Sequence, residues 1–299
     1  MTYEGSVMVD FLYEMWAYQY PKAAFVMLIL WLAFLCTNIT CIVDFGWVLN
    51  HWVVGISLCL QYYARVNYRG WVELGILTFW FALLGGALLH RVIQAQPDKR
   101  YEELGKSKVP RPLFFFIQYE LQAILLIFTA TPLYFVFRNY EEDNLRWNFI
   151  VGGLISIVGI CLEALSDYQL RKYKNSKAAL KKAKKEQENQ IGGNNGQTDQ
   201  YSRLDSHPDE DPKFPGVLKS GLWKKSRHPN LFFELLLWTG FAIAGLNDYT
   251  ISFLGFLGPI FLYLIMNYLT LPLTEKTMAD TRPYWKEYEK ETNKFLPFF

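Results

Sequence analysis

Three residues able to hold an anion, Arg227, His228 and Asn230, stand within four positions of one another. They close the run Gly221-Leu222-Trp223-Lys224-Lys225-Ser226-Arg227-His228-Pro229-Asn230, and Glu234 follows one turn later. Arginine offers phosphate a planar fork of donors, and a helix start adds free N–H groups beside it. Carboxylates recur along the chain: Asp44, Glu120, Glu163 with Asp167, and Glu275. The four-residue step puts Glu163 and Asp167 on one helix face. Glu120 lies between Gln118 and Gln122, which share the opposite face. All of these lie in or beside apolar runs, where an ionisable group is costly and marks a function or an ion pair. Two readings follow. Either the set holds a phosphate-bearing ligand, or Arg227 pairs with Glu163 or Asp167 simply to tie helices together.

The elements that position these residues are membrane spans. Of 299 residues, 52% are apolar, 17% aromatic and only 19% charged. The charge is unevenly placed: 14 of the 30 lysines and arginines fall between Arg171 and Arg227. This excludes an ordinary soluble globule, a disulfide scaffold and a disordered chain. A bilayer span needs about 20 apolar residues. Seven runs come near it: Ala23 to Val43, Val48 to Ala64, Trp71 to Val92, Leu113 to Phe137, Phe149 to Leu165, Leu231 to Leu246 and Ile251 to Leu273. The expected fold is an all-α polytopic membrane helix bundle of about seven spans, within six to eight. Residues 1–22 read as an interfacial segment ended by Pro21. Residues 23–171 carry five spans, 172–215 a basic helix and a polar insert, and 216–299 a C-terminal core with two spans and a tail.

Basic residues set the orientation. The side reached by the ends of spans one, three, five and seven carries 25 of them, and the other side five. The C-terminus is therefore expected in the cytosol, or in the matrix of a mitochondrion. In this topology Asp44, Arg100, Glu120, Glu163, Asp167, Arg227, His228, Asn230, Glu234 and Glu275 approach one membrane face. The net charge of +2 arises from loops between apolar spans and gives no reason to expect nucleic acid. Four cysteines without a CxxC pair and four scattered histidines give no metal-ligand spacing.

Glu163, Asp167 and Gln169, then GLWKKSRHPN, then Glu234, Trp238 and Gly240 resemble the C-terminal core of the steroid 5-alpha-reductase superfamily. The resemblance is to its branch once labelled a domain of unknown function, related to sterol reductases and to isoprenylcysteine carboxyl methyltransferases. Further blocks agree in order: Val43-Asp44-Phe45-Gly46-Trp47, Asp98-Lys99-Arg100-Tyr101, Gln122 with Pro132, and the ending from Pro272-Leu273-Thr274-Glu275-Lys276 through Tyr284, Tyr288, Thr292, Phe295 and Pro297. The resemblance implies a membrane enzyme of the endoplasmic reticulum that binds NADPH on its cytosolic side and reduces a lipid carbon–carbon double bond, of sterol or acyl type. It implies that Arg227, His228, Asn230 and Glu234 hold the cofactor, with Glu163, Asp167, Arg100, Tyr284 and Tyr288 lining or supporting its pocket. The nicotinamide supplies the hydride, and the protein supplies orientation and charge. Candidate proton donors are Glu120, then Tyr62 and Tyr63.

Two positions depart from the family pattern: Leu231 stands for a tyrosine, and Phe233 for a glycine. Span three also lacks the family's arginine, reading Phe81-Ala82-Leu83-Leu84. These departures support an alternative. On it, the chain keeps the fold without activity, as a structural subunit of a larger membrane assembly, possibly a mitochondrial respiratory complex, with residues 172–215 as a docking element. A methyltransferase using S-adenosylmethionine in a related pocket is a third reading.

Overall fold

The computed structural model describes residues 3–62, 68–96, 101, 108–138, 146–191, 207–247, 250–282 and 284–297. The described residues are almost entirely helical. Among the described residues, six helices are long and apolar enough to cross a bilayer: Gly5–Thr37, Ile42–Gln61, Tyr68–Ile93, Arg111–Thr129, Trp147–Glu186 and Thr250–Thr281. A shorter apolar helix spans Pro229–Ala244. The fold is that of a polytopic membrane helix bundle.

The N-terminal helix does not end at Pro21. Helix α1 (Tyr3–Tyr13) passes through a π turn at Glu14–Gln19 into α2 (Tyr20–Thr37). Proline lacks an N–H and its ring crowds the preceding turn, and the wider π turn just before it absorbs both. The Tyr20 amide accordingly bonds the carbonyl of Met15, five residues back.

Helix α2 stops earlier than the apolar run suggests. Asn38 adopts the left-handed conformation, at φ 58°, which asparagine tolerates better than most residues. Helix α3 (Ile42–Gln61) begins four residues later. Asp44 therefore sits in the first turn of α3, where a carboxylate meets the positive end of the helix, and does not end the first span. Helices α4 (Tyr68–Trp80) and α5 (Gly86–Ile93) form one path through a π turn at Phe81–Gly85. The expected fourth span is split at Ala130 into α6 (Arg111–Thr129) and α7 (Thr131–Phe137), and every residue of α7 is buried.

Helix α8 (Trp147–Ile191) runs unbroken for 45 residues, from the apolar span into the basic segment. Helix α9 (Pro229–Ala244) is followed by a 3₁₀ turn at Thr250–Phe256, α10 (Leu257–Ile265), a π turn at Met266–Thr270 and α11 (Leu271–Thr281). Helix α12 (Trp285–Glu291) closes the described fold.

The chain divides into two compact units. The first holds Met1–Ile160 and Leu235–Thr274, the second Cys161–Glu234 and Glu275–Phe299. The core of the first unit is aromatic. Trp80 and Trp238 are fully buried with ring centroids 5.5 Å apart, and His51 packs 4.6 Å from Trp238. His51 is held on both sides, by the Trp47 carbonyl at 2.9 Å and the Thr129 hydroxyl at 2.9 Å. In the same unit α8 and α9 meet backbone to backbone. A Cβ added to Gly152 would lie 2.5 Å from the Gly240 carbonyl oxygen and 2.5 Å from the Ala244 nitrogen. Small residues permit such an approach between apolar helices. Ser156 Oγ reinforces it by donating to the Leu237 carbonyl at 3.1 Å.

Candidate functional site

The second unit is built around the GLWKKSRHPN run. Gly221–Lys224 forms a 3₁₀ turn, entered through Gly221 at φ 56°. Helix α8 anchors this turn. Gln169 Oε1 accepts from the Leu222 amide at 3.1 Å, and Trp223 Nε1 donates to the Ser166 carbonyl at 2.9 Å. The chain then pairs with its own C-terminal tail. The Arg227 amide donates to the Asn293 carbonyl at 2.8 Å, the His228 amide to Lys294 at 3.1 Å, and Ser226 Oγ to Phe295 at 2.7 Å.

This pairing fixes the side chains. Arg227 is almost fully buried and lies 3.0 Å, through Nε, from Glu275 Oε1. Its Nη1 donates to the Glu289 carbonyl at 3.0 Å. His228 Nε2 meets the same Glu275 oxygen at 2.9 Å. Burial pushes the His228 imidazole below its ordinary range, and Glu275 only partly offsets this. The carboxylate that tethers Arg227 is thus Glu275, not Glu163 or Asp167. Asp167 instead accepts from Asn230 Nδ2 at 3.0 Å. Glu163 and Glu234 are both buried in this unit. In this unit Arg227 Nε, ion-paired with Glu275 but not hydrogen-bonded to it, Asn230 Oδ1, Trp285 Nε1 and Thr292 Oγ1 are buried without a hydrogen bond among the described residues.

The remaining predicted residues fall as follows. Tyr288 is 1% exposed and packs with Phe214, Val217 and Trp285, while Tyr284 is exposed. Burial pushes the Tyr288 phenol up to about 12, against the lowering influence of Arg227 and Arg282. Glu120 is half-buried on α6 in the first unit and makes no hydrogen bond or ion pair with the described residues. Beside it the Gln118 and Gln122 side-chain oxygens and the Tyr119 hydroxyl are buried without partners among those residues. Tyr62 caps the end of α3 through its amide. Arg100 and Tyr63 lie outside the described residues. Asp44 accepts from the Tyr101 hydroxyl at 2.5 Å, with Arg91 3.8 Å away. Phe233, one of the two positions that depart from the resemblance, is fully buried.

Sequence reasoning missed several polar residues. Glu73 is 1% exposed in α4, with neither carboxyl oxygen hydrogen-bonded to a described residue; its place two residues into an apolar run was the available signal. Glu210 lies in the expected polar insert. It is the partner of Lys177 at 2.5 Å and of the Tyr173 hydroxyl, and accepts the Gly216 amide at 2.8 Å. Burial raises the Glu210 carboxyl, but these three donors outweigh it and hold the group below its ordinary range. No sequence pattern links Lys177 to an acid 33 residues away.

The apolar spans define an integral membrane protein, and it carries a buried Arg–His–Glu cluster. The family model described as "Protein of unknown function (DUF1295)" matches residues 30–292, and the chain belongs to this family. No curated protein matches it, and no solved structure matches it.

Proposed function

We propose that the protein is a membrane-embedded, NADPH-dependent reductase of a lipid carbon–carbon double bond, of sterol or acyl type, within the steroid 5-alpha-reductase superfamily. One observation carries this reading: Asn230 Oδ1 is buried at the start of α9 without a hydrogen bond among the described residues, beside Arg227 and His228. A buried acceptor left unmade costs free energy, which a ligand amide would relieve, and arginine beside it suits a phosphate. The residues therefore fit a dinucleotide. Arg227 and the start of α9 would hold phosphate, Asn230 a donor of the ligand, and Glu275 would orient Arg227 and His228. When bound, NADPH supplies a hydride to one alkene carbon. A protein group or water gives a proton to the other.

The test is deuteride transfer in vesicles that hold sterol and unsaturated acyl substrates, using NADPH deuterated at its transferable position. Deuterium in a reduced lipid, lost in Arg227→Ala, supports the reading. A protein that neither binds NADPH nor transfers deuterium to any of these lipids contradicts it.

A second reading has its own observation. Glu275 already neutralises Arg227 and His228, and the Ser226–His228 segment is strapped to the tail. Such a closed network suits a scaffold subunit of a larger membrane assembly that keeps the fold without the chemistry. Recovery of the same partner proteins with wild type and Arg227→Ala, without NADPH binding by either, would favour it.

A further inference from the structure

A second cationic feature lies in the same unit and plays no part in that reading. A cavity of about 320 Å³ is lined by Tyr173, Lys174, Lys177, Gly216, Thr281 and Arg282, with Pro215 at its edge. Two cations converge over Gly216. A point one Cβ length from its Cα, at φ 87°, lies 3.5 Å from Lys177 Nζ and 3.9 Å from Arg282 Nε. Glu210 answers the charge of Lys177. Glu210 also acts electrostatically on Arg282, but no described carboxylate lies within ion-pair distance of it, and its guanidinium carbon stands 5.7 Å from the Trp285 ring. Burial presses the guanidinium below its ordinary range, the mark of a cation that has given up water. Two cations held together over one carboxylate leave a half-buried excess of positive charge, which an anion would relieve. Glycine keeps the floor open, since a side chain there would occupy the space between the two cations and strain the backbone.

We infer that this cavity binds a phosphate group through Arg282 and Lys177, with Lys174 at its rim. Its place on α8 fits a phosphate at the membrane surface. Tyr173 follows the last apolar residue of the span, Leu165, by eight positions, or about 12 Å along the helix. Phosphate at that level comes from an anionic phospholipid headgroup or from solution.

The test uses the full chain in detergent and in nanodiscs. Inorganic phosphate and pyrophosphate probe the soluble source. Nanodiscs of phosphatidylcholine alone, or with added phosphatidic acid, probe the lipid source, read as phospholipid retained after extraction and native mass spectrometry. Arg282→Gln and Gly216→Val should each weaken phosphate binding at least tenfold, and Arg282→Lys should restore part of it. Lys182→Gln, on the exposed face of α8, should change nothing. Retention of phosphatidic acid that is lost in Arg282→Gln assigns the lipid source, and loss of pyrophosphate binding alone assigns the soluble one. Equal binding by wild type, Arg282→Gln and Gly216→Val, or none by folded wild type with either probe, overturns the inference. NADPH binding lost in Arg227→Ala but kept in Arg282→Gln would separate this cavity from the proposed cofactor site.

Discussion

The two units handle polar groups differently. The first spreads small polar sets through an apolar core, with His51 beside Trp80 and Trp238 and Glu14 with Gln19 and Gln61. The second gathers them, so that Arg227 and His228 share Glu275, and Lys177 and Tyr173 share Glu210. A single buried polar group contributes little specificity but tolerates a dry core. A network fixes a geometry, and it is costly when any member is removed. The first unit is thus a largely apolar frame, and the second holds the buried Arg–His–Glu and Lys–Tyr–Glu clusters.

The largest expected effect breaks the frame. Trp238→Ala empties a fully buried site and should cost about 3–5 kcal/mol. The measurement is the thermal midpoint of the detergent-solubilised protein, with a clear fall expected. An unchanged midpoint would mean that the aromatic core carries little of the stability. Next, Arg227→Ala should weaken NADPH binding at least tenfold while the protein still inserts and elutes as a single species. A smaller loss follows from the tail strap. Ser226→Ala removes the hydrogen bond to the Phe295 carbonyl and should cost about 1 kcal/mol. Its signature is faster amide exchange at Arg227 and His228, whose amides face the tail. Exchange rates equal to wild type would deny the strap.

The smallest effect is a pH dependence confined to the second unit. The folded His228 imidazole sits below its ordinary value of 6.5, so the unfolded chain binds a proton first as pH falls. The stability tied to neutral His228 is complete above that value and is lost as pH drops from 6.5 toward the folded value. Glu210, also lowered, adds a loss at more acid pH, below the ordinary carboxylate value of 4.5. His228→Gln should flatten the first slope and leave the second. Identical slopes in wild type and variant would show that His228 is not the titrating group.

Sequence pattern showed the helices well and their ends poorly. Apolar runs of span length identified every long helix, because burial in lipid demands them. It could not place the turn at Asn38 or the break at Ala130, since both lie within continuous apolar sequence and are set by local conformation. Pro21 misled in the same way, because the π turn before it is invisible to composition. The Arg227–His228–Asn230 group was legible from residue type alone. Its carboxylate was not, because Glu275 lies 47 residues from His228, in α11, and no periodicity links the two. The Arg282 cavity was hidden further. Its lysines belong to the expected basic helix, and only the fold brings Gly216 beside Lys177.

The most direct measurement is a titration of the purified, detergent-solubilised protein with NADPH, run beside Arg227→Ala and with S-adenosylmethionine as the competing cofactor. The account predicts micromolar NADPH binding that is lost in the variant, and no binding of S-adenosylmethionine. Folded wild-type protein that binds neither cofactor, or binds NADPH equally well without Arg227, would contradict it.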